Sequence, residues 1–207
     1  MNLMEMTMNE YQSALSSKQP TPGGGTASAV ALGHSAALIS MVANLTVGND
    51  KWQDGWTVSE SAIDLSMKVM ELSATLAEKD SSAFDKVMEA FRLPKSTEEE
   101  KDIRLENIRQ ATLHAAEIPF DTACLALDLL VIINDLSQVC NRNAVSDIGV
   151  AALLASAGCK GALFNVEINL NSLPSEVGKS MRTRLPEINH QCREISKDIM
   201  HNVKSRL

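Results

Sequence analysis

Aromatic side chains are scarce in this chain: two Trp, one Tyr and four Phe in 207 residues. That is too few for a β-sandwich core and suits helices packed through small and aliphatic side chains. Clusters of Lys or Arg are missing as well. Nineteen basic residues stand against twenty-six acidic ones, a formal charge of -7 with a pI near 5.1. Nucleic acid, which selects basic patches, is therefore not an expected partner. Cysteine pairs are lacking too. Cys124, Cys140, Cys159 and Cys192 lie far apart with no CxxC spacing. They are expected to be reduced core thiols of a cytoplasmic protein, with no disulfide framework and no metal site. No charged segment followed by a short apolar run opens the chain, so export is not expected. Period-two alternation, internal repeats and low-complexity tracts are also missing, and a length of 207 residues predicts one domain over 1–207.

What is present is organised around one run, Pro20-Thr21-Pro22-Gly23-Gly24-Gly25-Thr26, which leads into small apolar residues from Ala27 to Val47. Two prolines and three glycines make a loop whose backbone can approach another group closely. At a helix N-terminus such a loop leaves N–H groups pointing outward, a setting that favours anions. The alternative is a turn that caps a core helix. The 27–47 stretch has the length of a membrane span, but His34, Asn44 and several Ser and Thr interrupt it and no basic flank accompanies it. It is read as a small-residue helix buried on all sides, and no membrane is expected.

The remainder reads as helix after helix. Met4–Ser16 is a short opening helix, and Gly48–Gly55 is a loop. A long helix runs from Val58 to Arg92 and stops before Pro94. Another runs from Ser96 to Glu117, with acids in its first turn, and Pro119 opens the next, which ends near Asn141. Ser146 is the expected N-cap of a helix reaching Leu170. Pro174-Ser175-Glu176 starts the last one, with Val177, Met181, Leu185, Ile188, Cys192, Ile195, Ile199 and Val203 on one apolar face and Pro186 as a predicted kink. The fold class is all-α, a bundle of six to seven helices around the buried small-residue helix.

Polar residues in apolar settings are the candidate functional positions. In the 58–92 helix the large apolar side chains Leu65, Val69, Leu72, Leu76, Phe84, Val87 and Phe91 form a stripe that Asp80 interrupts. A carboxyl placed there is desolvated, its pKa rises, and it becomes a candidate general acid or base. A structural alternative is a carboxylate held by buried backbone or by an Arg. His34 and His114 are lone histidines on apolar helices and are read as structural. Asn141-Arg142-Asn143 with Ser146-Asp147 is a compact polar cluster, of which helix capping explains only Ser146 and Asp147. Asn165 and Asn169 share a helix face among Phe164, Val166, Ile168 and Leu170. Two such amides suit the edge of a heterocycle, or an interhelical hydrogen-bond pair. On one straight helix Asp147 and Asn169 are about 33 Å apart, so a single subunit cannot use both at one site. Either the helix breaks at Gly158 or Gly161, or an antiparallel mate in a dimer supplies the far end.

Four segments, Pro20–Gly48, Lys79–Lys101, Ala115–Leu130 and Asn141–Leu170, resemble in that order the formiminotransferase-cyclodeaminase family, in its cyclodeaminase domain and single-domain bacterial relatives. The PGGG helix start, the D-x-x-A-F run and the SD plus N-V-x-I-N pair carry the likeness. His34 departs from it, standing where a small residue is expected, and the tail after Leu170 adds nothing to it. The resemblance implies an all-helical homodimer acting on tetrahydrofolate that carries a one-carbon unit, with no further cofactor. The implied reaction is closure of 5-formimidoyltetrahydrofolate to 5,10-methenyltetrahydrofolate with loss of ammonia. The alternatives are methenyltetrahydrofolate cyclohydrolysis and a non-catalytic helical dimer. Carried over by position, the pocket comprises Gly23, Gly24, Gly25, Thr26, Asp80, Asn141, Asn143, Asp147, Asn165 and Asn169. Asp80 is the expected general acid/base and Asp147 the second carboxylate or pterin anchor. The asparagines would hold the pterin edge, and the glycine loop a carboxylate or pterin oxygen.

Overall fold

A computed structural model describes residues 3–207. Six α-helices carry the fold: α1 (Met8–Leu15), α2 (Gly24–Asn44), α3 (Trp56–Arg92), α4 (Glu98–Val139), α5 (Val145–Asn171) and α6 (Lys179–Arg206). Short 3-10 turns precede α1, α3 and α5, and no strand occurs among the described residues. The expected opening helix is thus a 3-10 turn, Leu3–Glu5, followed by α1, which Thr7 and Glu10 start with a reciprocal capping box. The same box, Thr97 with Glu100, starts α4.

Helices α2 and α5 pack antiparallel at close range because small residues face each other. A Cβ on Gly158 would sit 2.9 Å from the Ser28 carbonyl oxygen, and one on Gly161 would collide with the Ser28 hydroxyl. Further along, the Ser35 hydroxyl donates to the Ala151 carbonyl at 2.8 Å. Around this pair, Leu32, Ile39, Leu129, Leu130, Ile133, Leu136 and Ile148 fill a solvent-free core. The expected burial of α2 holds on the sides toward α3 and α5, while His34, Ala37, Met41 and Leu45 face outward. Both α2 and residues 142–171 are long and apolar enough to cross a membrane, and about half of each (50% and 56%) is buried in the bundle.

Three sequence expectations need correction. First, α4 is one helix through Pro119. Proline has no N–H for the carbonyl of Ala115 four residues earlier. Asn169 Nδ2 donates to that oxygen instead, at 2.9 Å, so the helix continues. Second, the buried face of α3 keeps Val69 and Leu76 of the predicted stripe but is otherwise made of small residues, Ser59, Ala62, Ser66, Ser73, Ala77, Ala83 and Ala90, which close helix contacts favour. Phe84 and Phe91 are displaced to the surface. Third, α6 starts at Lys179 after Gly178, not at Pro174, and runs unbroken through Pro186. Its buried residues Met181, Ile188, Cys192, Ile199 and Val203 fall on the predicted stripe.

Candidate functional site

The Pro/Gly run ends as α2 begins. The Thr21–Pro22 peptide bond is cis, Gly23 is the N-cap, and the first intrahelical bond runs from Ala27 N–H to Gly23 O at 2.9 Å. The N–H groups of Gly24, Gly25 and Thr26 therefore have no partner within the helix. Asp80 of α3 lies against this helix start. The Thr26 hydroxyl donates to Asp80 Oδ2 at 2.9 Å and also meets the Ser81 hydroxyl at 3.1 Å. At Gly25 any Cβ would collide with the Asp80 carboxylate, so a larger residue there would have to displace that side chain. At Gly24 a Cβ would make only ordinary contact, 3.7 Å from Asn165 Nδ2.

Burial pushes the Asp80 carboxyl above its usual range, opposed in part by the Thr26 hydroxyl and backbone N–H. No cation pairs with it: the described ion pairs are Lys101–Glu98, Arg109–Glu106 and His114–Glu117. The group is thus a partly desolvated carboxyl, held in place by the hydroxyl and backbone N–H of Thr26.

Asp80 opens onto a cavity of about 480 Å³ between the ends of α2, α3, α4 and α5. The glycine turn, Thr21, Asn165 and Asn169 line it, with Asn165 beside Gly24, and Phe84, Val87, Phe91, Ile108 and Ile168 add apolar surface. Asp80 is the one titratable side chain in the lining. Both asparagines use their amide nitrogen on backbone: Asn165 Nδ2 donates to Gly161 O at 2.8 Å and Asn169 Nδ2 to Ala115 O. Their oxygens take no hydrogen bond among the described residues. The cavity therefore offers backbone donors, amide oxygens as acceptors and one carboxyl, within apolar walls suited to a flat heterocycle.

Sequence reasoning places Gly23, Gly24, Gly25, Thr26, Asp80, Asn165 and Asn169 at this one site. It assigns Phe84, Val87 and Phe91 to the core, where the structure makes them cavity walls. It misses Ile108 and Thr112, which α4 contributes; they lie on the helix predicted from Ser96, but nothing local to that helix says which of its faces meets α2 and α5.

Asn141, Asn143 and Asp147 lie elsewhere in the chain's fold. Helix α5 does not break at Gly158 or Gly161, so the separation of about 33 Å between Asp147 and Asn169 stands. The Asn141 amide donates to Leu45 O at 3.0 Å and accepts from Asn143 N–H at 3.0 Å, while its backbone N–H donates to the Thr46 hydroxyl at 2.9 Å. Arg142 Nε donates to the Arg206 carbonyl at 2.7 Å. These bonds tie the end of α2 and the C-terminus of α6 to the α4–α5 junction. The predicted N-cap Ser146 is instead the second residue of α5, whose N-cap position is Ala144. The Asn143 side chain is exposed and Asp147 is half-buried. Among the described residues, no group of three His, Cys, Asp or Glu side chains gathers as a metal site would require.

Comparison with known proteins gives three results. The family model for formiminotransferase-cyclodeaminase matches residues 7–186. A methenyltetrahydrofolate cyclohydrolase of Methylorubrum extorquens is 32% identical over 97% of this chain and 97% of its own length. The formimidoyltransferase-cyclodeaminase of Gallus gallus is 31% identical over 89% of this chain, which spans only 35% of that larger protein. Among solved structures, a formiminotetrahydrofolate cyclodeaminase from Thermotoga maritima superposes with a TM-score of 0.81 at 27% identity, over 99% of this chain and 97% of that one.

Proposed function

This chain belongs to the formiminotransferase-cyclodeaminase family, and we propose that it closes 5-formimidoyltetrahydrofolate to 5,10-methenyltetrahydrofolate with release of ammonia. At the coarser level it is a folate one-carbon enzyme of the cyclodeaminase/cyclohydrolase group. The observation that carries the proposal is the raised, cation-free carboxyl of Asp80 at the Thr26 hydroxyl, inside the cavity lined by the glycine turn and two amides. Closure forms a bond from the N10 nitrogen to the formimidoyl carbon and breaks that carbon's bond to its terminal nitrogen. The neutral carboxyl protonates the terminal nitrogen as N10 attacks. The resulting carboxylate takes the N10 proton and passes it to the leaving amine, which departs as ammonia. One carboxyl, its pKa raised by burial, serves both transfers. No cofactor beyond the tetrahydrofolate enters this scheme. The pterin edge would lie against Asn165 and Asn169, with an oxygen toward the free N–H groups of α2.

Cyclohydrolysis, in which Asp80 would activate water against the methenyl carbon, is the second reading. The Methylorubrum relative of matching length supports it. The deciding experiment offers purified protein 5-formimidoyl- and 5,10-methenyltetrahydrofolate separately and follows the methenyl absorbance. Growth of that absorbance with ammonia release from the first is expected. Turnover of the second alone would select cyclohydrolysis, and turnover of neither would remove the folate reading. The same proposal places the enzyme in the cytoplasm, to be checked by cell fractionation.

The proposal includes a homodimer. On the surface shared by α2 and α5, Met41 and Leu45 continue into Val150, Leu153, Phe164 and Ile168, all large, apolar and exposed, the last two at 70% and 69%. A contiguous apolar face of this kind marks an interface. If two α5 helices cross antiparallel near Ala157, Val150 lies beside Phe164 of the mate and Asp147 reaches the mate's Asn165–Asn169 turn. This arrangement resolves the 33 Å separation and brings Asp147 and Asn143 to the partner's cavity as its outer polar rim.

A further inference from the structure

We propose that Pro119, which does not line the cavity, is a positioning residue for it: by leaving the Ala115 carbonyl without a helix donor, it fixes Asn169 with its amide oxygen turned to the ligand. The inference rests on the folate reading above and adds to it the chemistry that Asn169 recognises.

Pro119 is buried in the interior of α4, where proline costs more than any other residue. Alanine there would restore a helix hydrogen bond and remove a steric clash, so helix stability alone gives no reason for proline. What proline creates is an orphan acceptor, Ala115 O, beside the cavity wall, since Ala115 itself lines that wall. A carbonyl oxygen only accepts. The group of Asn169 that meets it at 2.9 Å must therefore be the amide nitrogen, and the orientation of the amide follows from chemistry. Oδ1 is left for the cavity. Asn165 shows the same arrangement through its bond to Gly161 O. Each amide thus keeps its oxygen as a free acceptor, beside the one N–H its backbone bond leaves over. The oxygens suit a ligand edge with N–H donors, such as the amino group and ring N–H of a tetrahydropterin. With an N–H at position 119, the Ala115 oxygen would be claimed by α4, and the Asn169 amide would be free to rotate and offer either end.

The test uses Pro119→Ala, Asn169→Asp and the double variant in the full chain, read by Tm and by calorimetric titration with folinic acid. Asn169→Asp cannot donate to Ala115 O and sets a carboxylate against that carbonyl, so its Tm should fall. Adding Pro119→Ala supplies the missing N–H and should recover most of that loss. Pro119→Ala alone should hold or raise Tm yet weaken folinic acid binding about tenfold, with a rise in KM larger than any fall in kcat. Losses of Tm that simply add in the double variant would overturn the coupling. Wild-type affinity in Pro119→Ala would overturn the positioning role. If the wild-type protein binds no folinic acid while the Tm rescue is present, the folate reading fails and the coupling does not, so the two failures are distinguishable.

Discussion

Beside Asp121, which burial also pushes up, the pH dependence of stability rests on Asp80. Its carboxyl is pushed up from an ordinary value of 3.8 by burial, so the native state binds its proton more tightly than the unfolded chain does. Above the raised pKa the charge penalises folding; as pH falls toward 3.8 the penalty disappears. Asp80→Asn is therefore expected to raise Tm at pH 7 to 8, and that gain should vanish on acidification; thermal melts across pH check it. A gain that grew on acidification would mean that the Thr26 bond outweighs burial. Gly25→Ala tests the close approach of α2 to this carboxyl. Its Cβ should displace Asp80 and cost about 1–3 kcal/mol, as overpacking does, with most of the loss recovered in an Asp80→Ala background. Chemical denaturation of the two single variants and the double measures the coupling. At this scale the sequence was readable where a polar residue sat in an apolar context, as with Asp80, Asn165 and Asn169. It was not readable at Gly25, since three adjacent glycines look alike until the carboxylate behind one of them is located.

Helices were legible where caps and periodicity agreed, and misread where a tertiary partner overrode a local rule. The α6 stripe was correct because eight residues at steps of three and four leave one solution. Pro119 was taken as a helix start because the donor that compensates it, Asn169, comes from α5, fifty residues later. On α3 the stripe of large side chains is half right: Val69 and Leu76 are buried, but close helix contacts otherwise bury Ser and Ala, and periodicity alone does not say which of two adjacent stripes faces inward. The Asn141 junction is the element-scale device. Its amide and backbone make three hydrogen bonds that join α2, α4 and the turn before α5. Asn141→Ala should cost about 1–3 kcal/mol by leaving buried backbone groups unpaired. Urea unfolding reads that loss; an unchanged midpoint would show that the junction is held by other contacts.

For the molecule as a whole, the exposed apolar residues on α2 and α5 and the distance between the polar ends of α5 are the grounds for the proposed dimer with shared cavities. Asp147→Asn alone should lower activity, and mixing it with Asp80→Asn protein under conditions of subunit exchange should give activity above the mean of the two unmixed variants, because half the dimers are mixed and each then carries one site intact at both positions. No such excess, with exchange verified, would confine each site to one chain. Leu153→Glu, which puts charge on that face, should give monomers by sedimentation. The account as a whole depends on Asp80 moving protons for a reduced folate held by the surrounding helices. The most direct measurement is the single-turnover rate of methenyl formation from 5-formimidoyltetrahydrofolate in Asp80→Asn, taken beside its affinity for folinic acid. The expected result is affinity near the wild-type value with a rate lower by about two to four orders of magnitude. A rate near the wild-type value would contradict the account and leave Asp80 a structural carboxyl.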